Sequence, residues 1–391
     1  MRILLGHNYY QQRGGEDFSY ESNVRNLKSH GHEVRQYTLH SDAVKRMTQI
    51  AIGRKMLWNR DAYREVTELI TVFKPGVAHF TNLFPLMSPS VLSACKKKQV
   101  PIVQDLRNYR HMCPNAFLLR DGRPCEKCID KKFAWPGIVH KCYRESAVAS
   151  AVLASTSAAH RVFTSSRDAV DAFVTPTEFA KAKHVQSGFN ADRIFVKPNF
   201  VDPIPDVGDG SGQYAVFVGR LSKEKGISTL LAAWDQVPSD LELHIVGEGE
   251  LRDEIARRAQ NDNRIKLLGW LPNDQVFDVV GRAMFTVMPS VWYETFGRTI
   301  VESFAAGVPV VASDLGCMKE LISHDRNGLL YPAGDSTQLA ACVNRMEEDS
   351  EMRIRMRKAA RSEFLTSYTA ATNYERIMEV YRHAMQPKST C

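Results

Sequence analysis

A rhythm of short apolar runs alternating with helical stretches, broken once near the middle and then resumed, constrains this chain more than any other feature. Ile3–Gly6 is an apolar run that ends in a polar loop containing Gly14-Gly15. Phe18–His30 then reads as a helix closed by Gly31, and His32–Leu39 as a second strand. Further strands are predicted at Val77–Phe80, Pro101–Gln104 and Val162–Thr164. Residues 198–212 are rich in Pro, Gly and Asp and lack a periodic apolar pattern, which predicts a linker. Beyond it the rhythm restarts. Strands are predicted at Tyr214–Val218, Leu241–Val246, Lys266–Leu268, Phe285–Met288 and Val308–Ala312, with helices at Gly226–Trp234 and Leu251–Ala259 and a charged helical tail from about Thr337. Such alternation argues for parallel sheets covered on both faces. At 391 residues the chain is long for one hydrophobic core. The expectation is therefore an α/β protein of two doubly wound, Rossmann-like domains, residues 1–200 and 201–370. Two such domains facing one another would place ligands at the strand carboxyl ends, in the cleft between them.

Composition narrows the setting. No apolar run reaches eighteen residues, and the Ala/Ser stretch at 146–159 is too short and too weakly apolar to span a bilayer. The start, Met1-Arg-Ile-Leu-Leu-Gly6, lacks a signal-peptide core and cleavage site, so a cytoplasmic chain is expected. The net charge of +7 is unevenly placed: between Lys96 and Arg144 there are 12 Lys/Arg against 4 Asp/Glu. A basic window of this kind suits an anionic membrane surface, a phosphorylated acceptor or nucleic acid, and equally a plain solvated surface. No nucleic-acid motif accompanies it, and no nucleic-acid partner is expected.

The most informative stretch runs from Met288 to Asp314. A strand ends near Met288, a loop carries Glu294, and a helix is predicted to start near Thr295–Gly297 and to stop at Gly307. Small residues at a helix start leave backbone N–H groups open at a positive dipole end, which suits a phosphate. Glu294 and Glu302 stand two helical turns apart, and carboxylates grip vicinal sugar hydroxyls well. From spacing alone, an N-terminal cap with a surface Glu is an equal alternative. Gly14-Gly15 lacks the G-x-G-x-x-G pattern of dinucleotide dehydrogenases, so hydride chemistry gains no support. Cys125-x2-Cys128, flanked by Cys113 and Cys142, is compatible with a structural four-thiolate zinc; four unliganded thiols are the other reading.

These residues, Glu294-x7-Glu302, resemble the signature of the retaining glycosyltransferases of family four, which adopt the two-domain GT-B fold. Val218-Gly-Arg-Leu-Ser-Lys-Glu-Lys-Gly226, Ile245-Val-Gly-Glu-Gly-Glu250 and Leu268-Gly-Trp-Leu-Pro272 are similar to further motifs of that family, in the same order. The resemblance implies that Glu294 binds the donor sugar, Glu302 the ribose, and Arg220 and Lys225 the diphosphate. It also implies that the loop at Leu271 meets the base through its backbone. Gly219 and Gly247 within these motifs, with Thr295, Phe296 and Gly297, complete the implied donor site, and the Gly14-Gly15 loop lines the diphosphate and the acceptor. Arg107-Asn-Tyr-Arg-His-Met-Cys-Pro-Asn115 resembles a subgroup that builds surface polysaccharides. Many members carry a donor-contacting His just before Asn-Tyr-Arg. Here Arg107 stands at that point, so either Arg107 takes the role or His111 supplies it from the next turn.

The resemblance further implies that a final helix, about 371–391, packs back on the N-terminal domain. The donor would be a UDP-sugar or GDP-mannose and the acceptor a glycan or a lipid-linked group; the basic window, for its part, suits a peripheral contact with the inner face of an anionic membrane. Two cations at a strand end stabilise a departing diphosphate. With no Asp-x-Asp site, catalysis is expected to need no metal cofactor. A nucleotide-sugar epimerase and a sugar-nucleotide-binding regulator are the competing readings.

Overall fold

A computed structural model describes residues 1–12, 14–162 and 166–386. The chain divides into two compact units. The first comprises Met1–Phe117, Glu126–Pro198 and the residues from Asn373 onward; the second comprises Leu118–Cys125 and Asn199–Thr372.

The first unit is built on β1 (Arg2–Tyr9), β2 (Glu33–His40), β3 (Val77–Asn82) and β4 (Ile102–Asp105). After β5 (Leu119–Arg120) and β6 (Arg123–Pro124), a small antiparallel hairpin counted with the second unit, come β7 (Ala172–Thr175) and β8 (Ile194–Val196). The other six strands form one parallel sheet in the order β2-β1-β3-β4-β7-β8. The period-two alternation of β1 explains its two faces. Ile3 and Leu5 pack with Val77, Val103 and Val174 on one side, while Leu4 packs with Ala78, Phe80 and Ile102 on the other. Helix Gly15–Ser29 covers the first face through Tyr20, Val24 and Leu27. The C-terminal helix Ala370–Ala384 lies on the same face through Ile377, Val380 and Tyr381. Helices Arg60–Phe73 and Ser90–Lys97 close the opposite face through Val66, Ile70, Val91 and Leu92.

The second unit repeats the plan with β9 (Tyr214–Val218), β10 (Glu242–Val246), β11 (Ile265–Gly269), β12 (Phe285–Met288), β13 (Val310–Ser313) and β14 (Gly328–Tyr331). Its parallel order is β11-β10-β9-β12-β13-β14. The chain winds outward from β9 to β11, then returns to β12 and winds the other way. That reversal opens a crevice at the carboxyl ends of β9 and β12, the place where open α/β sheets take ligands. In the first unit the corresponding reversal lies between β1 and β3.

Each half is thus a doubly wound parallel α/β sheet. The stretch read as a strand at Val162–Thr164 is a correction: Val162 ends helix Ala147–Val162, and residues 163–164 lie outside the described residues. The strand in that part of the sheet is β7, whose four buried residues sit between β4 and β8. β8 and β14, three and four residues long, were not read from the sequence. Among the described residues no helix is long and apolar enough to cross a membrane.

Candidate functional site

Two loops of the second unit leave the sheet side by side at its reversal. One follows β9 and carries Gly219, Arg220 and Ser222 into a short 3-10 turn, Lys223–Lys225. The other follows β12 and carries Ser290 and Glu294 to helix Arg298–Ala305. The tips of these loops meet. Lys225 Nζ lies 2.6 Å from Glu294 Oε1, and the Ser290 hydroxyl donates to the same oxygen at 2.8 Å. Glu294 is only 5% exposed, so without these donors its charge would carry a desolvation penalty of several kcal/mol. Lys225 also sits 5.8 Å from the Trp292 ring centroid.

Arg220 is half exposed. Its Nη2 contacts Glu224 Oε1 at 2.6 Å and its Nε donates to Ser222 Oγ at 3.3 Å. The Ser222 hydroxyl in turn donates to Glu224 at 2.7 Å. Burial raises the Glu224 pKa, but the Ser222 hydroxyl and Arg220 outweigh it, and the net shift is downward. Both cations are therefore already aimed and partnered, each by one carboxylate.

The backbone explains why the loops hold this shape. Gly226, at φ 73°, passes so close to the Pro289 carbonyl that a Cβ would fall 1.8 Å from its oxygen. Gly247, at φ 138°, packs equally tightly on the Gly219 carbonyl. Gly219 N–H donates to the Val246 carbonyl and Gly247 N–H to the Gly269 carbonyl, lacing the ends of β9, β10 and β11 together. These two glycines thus have a structural role whether or not they also approach a ligand.

The remaining expected residues fall as follows. The helix starts at Arg298 with Gly297 as its N-terminal flanking residue, just beyond Thr295. Phe296 is a core side chain packed with Ile300 and Leu321. Glu302 is paired with Arg298 Nε at 2.6 Å, one turn back on the same helix. Leu271 is partly buried against Val216, Val246 and Val280. Sequence reasoning overlooked Ser290, Ser222 and Glu224. The signal for Ser290 was its place four residues before Glu294 at the end of a predicted strand.

In the first unit, helix Gly15–Ser29 begins at the loop after β1. The Asp17 carboxylate accepts the Gly14 N–H at 3.0 Å and also lies 2.7 Å from His7 Nε2, both side chains being fully buried. Glu16 accepts from Tyr10 Oη at 2.8 Å and from Asn108 Nδ2 at 3.0 Å. A Cβ at Gly14 or Gly15 would meet nothing within 4 Å, so packing does not demand glycine at either position.

Arg107 follows β4 and is buried, with Nε 3.1 Å from Asp105 Oδ2. Asp105 Oδ1 lies 3.0 Å from His79 Nε2, and His79 Nδ1 reaches Tyr381 Oη at 2.9 Å. Burial pushes the Asp105 pKa up, but Arg107 and His79 more than reverse this and hold it well below the usual carboxylate range. His111 belongs to a separate cluster with His184 and Phe189. Burial, with the nearby His184 and Arg167, keeps its imidazole neutral far below the ordinary histidine range.

Among the described residues no group of three or more His, Cys, Asp or Glu side chains is gathered to hold an ion. Cys113 Sγ instead donates to Asn115 Oδ1 at 2.9 Å. One C-x2-C supplies two thiols that are close along the chain, and nothing in the spacing of Cys113 and Cys142 forces them to converge on it.

Residues 208–363 match the family model described as glycosyl transferases group 1. An uncharacterised glycosyltransferase of Methanocaldococcus jannaschii is 32% identical over 180 residues, covering 44% of this chain and 45% of its own length. A phosphatidyl-myo-inositol mannosyltransferase of Mycobacterium leprae is 30% identical over 204 residues, covering 51% and 53%. The chain thus spans about half the length of these curated relatives. Among solved structures, Anabaena HepE in complex with UDP shares the fold at a TM-score of 0.68 and 18% identity, over 98% of this chain and 100% of that one. The matched segment contains both loops described above.

Proposed function

We propose that this chain is a metal-independent, retaining glycosyltransferase. It moves a sugar from a nucleotide-sugar donor, a UDP-sugar or GDP-mannose, to a glycan or lipid-linked acceptor in polysaccharide or glycolipid biosynthesis. The observation that carries this reading is the Lys225–Glu294 pair at the reversal of the second sheet, inside the segment that matches the glycosyltransferase family. UDP in the similar HepE structure supports a uridine donor. The mannosyltransferase relative supports a lipid acceptor, phosphatidyl-myo-inositol in that protein's name.

In this reading the second unit, about 201–370, binds the donor. Arg220 and Lys225 meet the charge that develops on the departing diphosphate, aided by the start of the helix at Thr295–Gly297. Glu294 accepts hydrogen bonds from sugar hydroxyls, and its link to Lys225 couples sugar placement to diphosphate binding. Glu302 holds the ribose once Arg298 releases it, and the Leu271 loop faces the base. The first unit, about 1–200 with the helix from 371, takes the acceptor. Gly14 and Gly15 allow close approach of a ligand, and His111 or Arg107 supplies the contact to the donor. The acceptor attacks on the face from which the diphosphate leaves, and a phosphate oxygen takes its proton, so the anomeric configuration is kept. No divalent ion is needed, because the two cations supply the positive charge.

The chain works in the cytoplasm, peripheral to an anionic membrane. Exposed Ile50, Trp58, Trp135, Val139 and Val148 lie on or beside three helices that pack together in the first unit, with Arg54, Lys55, Lys131 and Lys132 nearby in sequence. Apolar side chains set among cations suit a headgroup interface. A calorimetric screen of nucleotides and nucleotide sugars, followed by donor turnover with candidate acceptors, tests the proposal. Binding without turnover would favour a regulator, and epimerisation of the donor would replace transfer.

A further inference from the structure

The first unit contains a pocket of about 110 Å³ at the carboxyl ends of β3 and β4. Its lining combines the apolar Met56, Leu83, Phe84, Leu92 and Leu153 with the cationic Arg110, Arg161 and Arg167, beside His111 and His160. The lining carboxylate, Asp105, is already shared between His79 and Arg107. Among the described residues none of the guanidiniums of Arg110, Arg161 and Arg167 makes an ion pair. They are held by other means. Arg110 stacks 4.0 Å over the Phe84 ring and Arg167 3.8 Å over Phe189. Arg161 donates to the carbonyls of Lys131 and His111, and Arg167 to that of Ser187. Among the described residues, Nε and Nη1 of Arg110 and Nε of Arg161 are buried with no hydrogen-bond partner.

Buried cationic nitrogens without acceptors are costly, and the cost falls when an anion supplies the missing oxygens. The neighbours bear this out. Burial holds His184 down at about 4, and burial together with Arg161 brings Arg167 to about 10, so the cluster resists further positive charge. Arginine forks match the tetrahedral oxygens of phosphate.

We propose that this pocket binds the phosphate of a phosphate-bearing acceptor, with Arg110 and Arg161 donating to its oxygens and Arg167 adding charge. Calling the ligand an acceptor rests on the glycosyltransferase reading; anion binding by the pocket does not. The phosphate belongs either to a lipid, whose chain would meet the apolar lining residues, or to a soluble phosphorylated sugar.

Titration calorimetry of the full chain with UDP, octyl phosphate, inorganic phosphate and octyl glucoside tests this. Octyl phosphate is expected to bind in the presence of saturating UDP, and octyl glucoside not to bind. Arg110→Gln and Arg161→Gln should each weaken octyl phosphate by roughly ten- to hundredfold, the loss of one charged hydrogen bond, with UDP affinity unchanged. UDP affinity also serves as the check that each variant is folded. Octyl phosphate binding at least about tenfold tighter than inorganic phosphate identifies a lipid phosphate, and equal affinities identify a soluble one. No phosphate binding while UDP still binds overturns the pocket and leaves the donor site standing. Competition between octyl phosphate and UDP overturns it as well. Failure of UDP, and of GDP tested in its place, to bind while octyl phosphate does would overturn the donor reading instead.

Discussion

Lys225 and Glu294 are 69 residues apart in sequence and 2.6 Å apart in space, and most of the proposed chemistry passes through that contact. Removing either partner leaves a charge in a low-dielectric crevice, so substitutions here act on stability and turnover together. Arg220 is more exposed, and its loss should act almost entirely on turnover. We expect Arg220→Ala and Lys225→Ala each to slow sugar transfer by roughly 10²–10³-fold, the range for deleting one preorganised charge stabiliser. Glu294→Ala should be at least as severe, since sugar orientation is lost too. Steady-state kinetics with a radiolabelled donor measure all three, and wild-type rates in Arg220→Ala would remove it from the mechanism. Activity should persist in EDTA. The linkage, read by NMR, should keep the donor's anomeric configuration, and an inverted centre would end the retaining proposal.

Segments of secondary structure set the conditions for those residues. The loop after β1 presents Gly14 and Gly15, where packing would accept a side chain. Gly14→Ala should therefore leave the melting temperature within about 1–2 °C, as for a surface change of under 0.5 kcal/mol. It should still lower kcat/KM if the loop approaches a ligand, and unchanged kinetics would assign the glycines to the turn alone. Lys197, just after β8, is 1% exposed and donates to Asn23 of the first helix and Asn373 of the last. Burial, helped by Arg107 and opposed by Asp105, brings its pKa down to about 7. In the unfolded chain a lysine titrates near 10.4, so above pH 7 the unfolded state holds the extra proton. The Lys197 contribution to stability should accordingly grow as pH rises from about 7 and be lost as pH falls through that value. Urea melts at pH 7, 7.75 and 8.5 should show the wild type gaining on Lys197→Met across the series. Parallel curves would show that the amine keeps its charge.

Considering the chain entire, its last helix belongs to its first sheet. Ile377, Val380 and Tyr381 complete a face made by Ile3, Leu5 and Val77, and Tyr381 also reaches His79. Each such side chain contributes about 1.5–3 kcal/mol when fully buried. A chain ending at Thr372 should thus lose on the order of 5 kcal/mol from the first unit, enough to unfold it at ordinary temperatures. Circular dichroism and limited proteolysis of the shortened chain check this, and a fully protected first unit would contradict it. Anionic vesicles should sediment the intact protein more than neutral ones at low salt, with the difference vanishing near 0.5 M salt if charge drives the contact. Equal sedimentation would exclude an electrostatic membrane interface.

Residue types and their order determined the class of fold, because apolar runs that alternate with helices have few ways to bury their faces. They also determined where the two site loops of the second unit begin, since glycines, cations and carboxylates at strand ends are local patterns. Helix Gly15–Ser29 and strands β9, β10 and β12 were legible for the same reason. β7, β8 and β14 were not, and each takes its place by pairing with neighbouring strands of its sheet. The partners of charges far apart in sequence were decided by tertiary structure. Lys225 turned to Glu294, and Asp105 to His79. Arg110, Arg161 and Arg167, scattered over 58 positions, came to line one pocket. A spacing along the chain fixes neighbours only within one helix or strand; across elements, the packing of the sheets and their helices chooses them.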